Sequence, residues 1–162
     1  MSALTTRRRF LEGSGPAGAV GLLLVKPGSA RGSQAASAVS LGLIGCGNRG
    51  MYVSGIFAKH EYVKVTAICD VYEDRRKAAL EKYSGARPFT DHRELLKSDI
   101  DMVLIASPAF LHPEHFEAAV EARKHIFMEK PAAVNADGCQ RVLRAAKKAD
   151  AGKRISVDFQ QR

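Results

Sequence analysis

From residue 39 onward, short apolar runs alternate with amphipathic, charge-rich segments. Val39 to Ile44 is almost continuously apolar, as expected of a strand buried on both faces. Met51 to Lys59 is helix-compatible, and the β-branched run Tyr62 to Cys69 reads as a second strand, followed by a helix over Glu73 to Tyr83. Arg87-Pro88-Phe89 reads as a short third strand, and Asp91-His92-Arg93-Glu94 has the spacing of a capping box for a brief helix. Met102 to Ala106 is a fourth strand. Pro113 suits the first turn of the next helix, whose inward face is Phe116, Ala119 and Val120. Ile126-Phe127-Met128 is a fifth strand. Cys139, Val142, Leu143 and Ala146 recur at i, i+3, i+4 and i+7, the expected inward stripe of a further helix. Ile155 to Phe159 is a sixth strand. Strands alternating with helices imply an α/β fold, a parallel sheet wound on both sides.

The first strand runs directly into Gly45-Cys46-Gly47-Asn48-Arg49-Gly50. In such a G-x-G-x-x-G turn the first glycine permits a tight bend and the second lets backbone approach a pyrophosphate. The third lets helix pack close on strand, with the helix N-terminus facing the phosphate charge. Any glycine-rich loop can match the pattern; strand–turn–helix context and an acid closing the next strand make it specific. Asp70 is that acid, 25 residues after Gly45. In a dinucleotide fold it takes the two hydroxyls of the adenine-side ribose, and its charge repels a 2′-phosphate, which favours NAD over NADP. Arg75 and Arg76 lie close enough to keep NADP open, and a structural role for Asp70 as a helix cap competes with the ribose reading.

Composition changes this picture little. At 162 residues there is room for one domain of ordinary size, and 46% hydrophobic residues suffice for a core. The net charge of +8 suggests nucleic acid until it is located. Half of it lies in residues 1–38, and the remaining 20 basic and 16 acidic residues are interspersed, so nucleic-acid binding is not expected. Cys46, Cys69 and Cys139 have no metal-ligand spacing and read as small buried hydrophobes. Thr6-Arg7-Arg8-Arg9-Phe10-Leu11 resembles the twin-arginine export signal, Ser/Thr-Arg-Arg-x-Phe-Leu. The apolar stretch that follows, Gly15 to Val25, is too short for a permanent membrane span. Gly28-Ser29-Ala30 is preferred over Ala36-Ser37-Ala38 as the cleavage site, because the latter leaves no slack before the first strand. A basic unstructured tail is the competing reading. Export of a folded protein suits a chain that binds its nucleotide before leaving the cytoplasm for the periplasm.

The glycine turn, Ser107-Pro108-x-x-x-His112 and Glu129-Lys130-Pro131 together resemble the Gfo/Idh/MocA oxidoreductases. That resemblance covers residues 39–162 and implies a doubly wound, NAD(P)-binding Rossmann fold followed by a second, substrate-holding α/β domain. The implied organisation is a twin-arginine signal over 1–30, a linker over 31–38, the Rossmann domain over 39–158, and at 159–162 the start of a truncated second domain. By the same resemblance Gly45, Gly47, Asn48, Arg49 and Gly50 line the pyrophosphate and Asp70 holds the adenine ribose. Ser107, Pro108 and His112 line the nicotinamide half, Glu129 contacts the nicotinamide ribose, and Lys130 reaches between nicotinamide and substrate as the catalytic residue. A cap or core role competes for His112, and a plain surface lysine for Lys130. The family usually shows Thr-Pro-Asn or Thr-Pro-Pro where this chain has Ser107-Pro108-Ala109, so a contact at Ala109 falls to backbone.

The chemistry asked of Lys130 is independent of the family: an ammonium beside an alcohol oxygen stabilises developing alkoxide charge, and burial can lower a lysine's pKa enough for proton exchange. The implied function is hydride transfer between NAD and a sugar, inositol or related polyol, in an exported oxidoreductase, with homo-oligomerisation of the full-length protein left open by the sequence. Two alternatives stand beside it. One is a glycoside hydrolase of the same fold that uses NAD transiently, a group associated with loss of the lysine that is present here as Lys130. The other is a non-catalytic nucleotide-binding module. The chain as given is expected to bind nucleotide with little or no turnover, since the relatives' acid/base residues lie on the second domain. The remaining histidines, His60, His92, His115 and His125, are expected to be structural or solvent-facing.

Overall fold

The computed structural model describes residues 38–159. The twin-arginine segment, the preferred cleavage site and Gln160-Gln161-Arg162 lie outside the described residues. Six strands pair in parallel in the order β3-β2-β1-β4-β5-β6: β1 (Val39–Ile44), β2 (Val63–Cys69), β3 (Arg87–Phe89), β4 (Met102–Ile105), β5 (His125–Glu129) and β6 (Ile155–Asp158). The connecting helices are α1 (Asn48–Phe57), α2 (Glu73–Lys82), α3 (His92–Lys97), α4 (His112–Glu121) and α5 (Ala136–Lys147), with a short 3₁₀ turn (Ala109–Leu111) leading into α4. The α/β architecture implied by the alternation is therefore the one observed.

Side-chain alternation along the strands divides the core in two. Ala67, Cys69, Val103, Ile105, Ile126 and Met128 point into one layer with Leu95, Phe116 and Ala119 of α3 and α4. Leu41, Leu43, Ile68 and Leu104 point into the other with Val53 of α1 and Ala79 of α2. Central strands thus read as continuous apolar runs because both their faces are covered. Pro88 sits on the edge strand β3, where a missing N–H is tolerated. Phe116, Ala119 and Val120 are buried as expected.

Three helical details differ from the sequence expectation. Helix α5 does not pack through Cys139, Leu143 and Ala146, which are exposed; its inward residues are Gly138, Val142 and Ala145. A Cβ at Gly138 would stand 2.8 Å from Ala133 Cβ and 3.1 Å from Pro113 Cγ, so absence of a side chain sets the approach of this helix. Cys139 is accordingly exposed rather than buried. The capping box of α3 is half formed. Asp91 Oδ1 accepts from Arg93 N at 2.8 Å, but the Glu94 carboxylate binds Lys97 instead of returning to the Asp91 backbone. Helix α1 begins at Asn48, three residues earlier than the apolar pattern suggested.

A polar seam joins α3 to α4. The rings of His92 and His115 lie 4.2 Å apart, both buried, and His115 Nδ1 pairs with Ser107 Oγ at 2.8 Å. Burial, and then His92 alongside, push the His115 imidazole from its ordinary 6.5 down to about 4. Burial likewise lowers His92, against the opposing pull of Asp91 and Glu114. The unfolded chain takes up these protons as pH falls through 6.5, while the folded protein resists them. Stability from His115 is therefore fully present above pH 6.5 and is lost between 6.5 and about 4. The expected loss is on the order of 3 kcal/mol, seen as a falling thermal midpoint across that window that flattens in His115→Gln.

Candidate functional site

The strand order reverses between β1 and β4, and ligands of open parallel sheets bind where the C-terminal strand ends diverge. The glycine turn occupies that point. Gly45 has φ +95°, and a Cβ there would lie 2.6 Å from the Ala106 carbonyl and 2.7 Å from Ser107 N on the loop after β4. A Cβ on Gly50 would collide with the Gly45 carbonyl oxygen, so α1 rests directly on the end of β1. Gly47 is different: the nearest protein atom to its Cβ position is Arg75 Nη1 at 3.7 Å. No protein packing demands a glycine here, and the bare backbone leaves room for the close approach of a ligand. Gly47 is also the N-cap of α1, which has no side-chain cap and no acidic residue in its first turn. Its first N–H groups and helix dipole suit an anion. Asn48, exposed as the first residue of α1, stands on the same rim. The residues present therefore fit a dinucleotide pyrophosphate.

Asp70 lies at the end of β2 and is 8% exposed. Its Oδ2 accepts from Cys46 N at 2.8 Å and its Oδ1 from Tyr72 N at 3.0 Å, so it ties the glycine turn to the β2–α2 connection. It does not cap α2, whose N-cap is Tyr72. Two accepted bonds leave acceptor capacity on a carboxylate for a ribose hydroxyl. Arg76 Nη1 donates to the Asp70 carbonyl at 2.7 Å, and Arg75 stacks on Tyr72 with its guanidinium 4.0 Å from Asp70 Oδ2. A cavity of about 90 Å³ opens beside these groups, lined by Gly45, Asp70, Val71, Thr90, Ser107 and His115. Larger grooves of about 460 and 490 Å³ lie between α4 and α5 and at the opposite ends of the strands, away from this chemistry. Burial pushes the Cys46 and Cys69 thiols up to about 12, so both behave as the small hydrophobes expected.

Beyond β4 the other half of the crevice is assembled from three loops. Ser107, which lines the cavity beside Gly45, and exposed Pro108 follow β4. His112 is 1% exposed, with Nδ1 2.7 Å from Pro131 O and Nε2 2.9 Å from Ser107 O. Both ring nitrogens are thus engaged by protein carbonyls, and His112 acts on the crevice through the two loops it joins. Glu129, 4% exposed, ends β5, and its Oε1 accepts from Arg49 Nε at 2.8 Å. Arg49 starts in the glycine turn and also donates from Nη2 to Asp158 Oδ2 at 2.6 Å. Burial pushes the Glu129 carboxyl up, Arg49 pulls it down, and Asp158 pushes it up again. Lys130 follows as an exposed residue, and among the described residues its ammonium makes no hydrogen bond or ion pair. Asp158 and His115 are the site neighbours that sequence reasoning missed. The only signal for Asp158 was its place at the end of a parallel strand.

Residues 39–159 match the Gfo/Idh/MocA family model, an oxidoreductase family with an NAD-binding Rossmann fold. The inositol 2-dehydrogenase of Salmonella typhimurium is 39% identical over 103 residues, covering 62% of this chain and 30% of that protein. Among solved structures, the scyllo-inositol dehydrogenase of Lactobacillus casei with bound NAD(H) and scyllo-inositol superposes with a TM-score of 0.69 at 26% identity, over 75% of this chain and 35% of that one. The WlbA dehydrogenase of Bordetella pertussis in complex with NADH and UDP-GlcNAcA gives 0.68 at 30% identity, over 75% and 35%. The chain thus spans about a third of the length of these relatives. With the glycine turn, the acid after β2 and the Glu-Lys-Pro loop all at the strand ends, this chain belongs to the Gfo/Idh/MocA oxidoreductase family and comprises its NAD-binding Rossmann domain.

Proposed function

We propose that the chain is the cofactor-holding half of an exported oxidoreductase that moves hydride between NAD and a secondary alcohol of a sugar, inositol or related polyol. The observation that carries this reading is the open approach at Gly47 beside Asp70, a phosphate cradle with an acid for the ribose next to it. Bound NAD supplies hydride acceptance, which no side chain can. The residues of this chain bind and orient. The α1 N-terminus and Gly47 hold the pyrophosphate, and Asp70 accepts from the adenine-side ribose. Ser107, Pro108 and Glu129 shape the nicotinamide half, with His112 fixing the loops around it. The Lys130 ammonium faces the substrate hydroxyl, stabilising negative charge on that oxygen and exchanging its proton. Relatives named for inositol dehydrogenation support a polyol, and the presence of Lys130 supports the oxidoreductase over the transient-oxidation hydrolase. Thr6 to Leu11 supports export by the twin-arginine machinery into the periplasm.

Calorimetric titration of the chain with NAD and NADP tests the core of this reading. NAD is expected to bind more tightly, and Asp70→Ala to weaken it about tenfold, the loss of a charged hydrogen-bond acceptor. A folded protein that takes up neither dinucleotide overturns the assignment. The glycines separate ligand from fold: Gly47→Ala costs at most about 1 kcal/mol of helix capping yet weakens NAD binding, whereas Gly50→Ala costs about 1–3 kcal/mol of stability through overpacking. Urea unfolding beside the titrations measures both. For export, the pair Arg7→Lys and Arg8→Lys is expected to retain the chain in the cytoplasm on cell fractionation; undiminished periplasmic protein counts against the signal.

A further inference from the structure

Glu129 and Asp158 are the last residues of β5 and β6, and they are register partners across that parallel pair. Registered residues on adjacent strands share a face, so two carboxylates leave the sheet side by side. Both reach the same guanidinium, Glu129 on Arg49 Nε at 2.8 Å and Asp158 on Nη2 at 2.6 Å. Two carboxylates against one guanidinium carry a formal excess of one negative charge. Glu129 is almost fully buried and the Asp158 side chain is 21% exposed, so water screens this excess weakly. Arg49 belongs to the glycine turn and Glu129 immediately precedes Lys130. Under the proposed binding of NAD this excess charge sits at the nicotinamide end of the crevice.

We infer that Asp158 is a specificity-determining residue for the redox state of the cofactor, favouring the oxidised, cationic nicotinamide over the reduced, neutral ring. This inference rests on the proposed binding of NAD across the strand ends. Reduction removes one positive charge from the nicotinamide and leaves pyrophosphate and adenosine unchanged. A negative charge beside the ring therefore distinguishes the two forms, while the remaining contacts cancel in the comparison. Lys130 offsets part of the field, but it is exposed and its charge is correspondingly screened.

The test titrates the full chain with oxidised NAD, with NADH and with ADP-ribose, which lacks the nicotinamide. Removing a negative charge in Asp158→Asn tightens all three anionic ligands, but unequally. NADH and ADP-ribose are expected to gain about threefold relative to oxidised NAD, the effect of one unit charge in partly screened surroundings. Asp158→Glu keeps the charge and is expected to keep the wild-type ratio. Asp158→Ser makes the same charge change should Asp158→Asn fail to fold. Equal changes for all three ligands indicate a structural role and overturn the inference, as does an unchanged ratio, while either result leaves NAD binding itself intact. A wild-type chain that binds no dinucleotide overturns the underlying cofactor assignment and the inference with it.

Discussion

The structure depends on one steric constraint, the seating of α1 on the end of β1 through Gly50 and the Gly45 carbonyl. Any side chain at Gly50 forces the helix off the strand and carries the first-turn N–H groups away from the crevice. A second close approach, Gly45 against the Ala106–Ser107 backbone, brings β1 and β4 ends together where the strand order reverses. The helix N-terminus is then aimed across the sheet edge, and its partial positive charge faces a region where both neighbouring connections turn away. Glycine at these two positions is a requirement of packing. At Gly47 no packing contact requires it, and the open backbone there suits the close approach of a ligand.

Around that turn, charged side chains hold distant segments in place. Asp70 takes the Cys46 N–H from one side, coupling the glycine turn to the β2–α2 connection. From the other side Arg49 reaches 80 and 109 residues along the chain to Glu129 and Asp158. His112 closes the set by joining the Ser107 and Pro131 carbonyls. Each of these groups is largely or partly buried and hydrogen-bonded, the condition under which polar groups are tolerated in such places. The crevice is therefore preorganised by hydrogen bonds among the groups that line it.

What was legible in the sequence was local. The strand–glycine–helix junction, Asp70 at the end of β2 and the run Met102–Ile105 each lie within a dozen residues, where periodicity and turn chemistry operate. Helix α5 was misjudged because two of its apolar residues, Cys139 and Leu143, are exposed while Val142 and Ala145 pack inward beside Gly138, and a glycine leaves no mark in a hydrophobic pattern. The role of Glu94 was misjudged because Lys97, three residues on, competes for its carboxylate. Asp158 and the His92–His115 stack were invisible for a different reason. Their partners come from strand register and helix packing, which no short window contains.

The two halves of the crevice differ in how they use charge. On the side of the proposed adenosine site one carboxylate, Asp70, stands under Arg75 and Arg76, whose guanidinium groups engage Tyr72 and backbone. That arrangement leaves acceptor capacity on the acid, with the Arg75 guanidinium 4.0 Å away to temper its charge. On the nicotinamide side two carboxylates share one guanidinium, and an exposed lysine follows immediately in the chain. In the proposed NAD complex the first arrangement meets the adenine-side ribose, a part of the cofactor that redox chemistry leaves unaltered. The second then stands beside the ring whose charge differs between the oxidised and reduced forms, and there an imbalance bears on how tightly each form is held. Parallel strands make this division available, because all six present the same C-terminal ends to one edge and need differ only in the residue placed there.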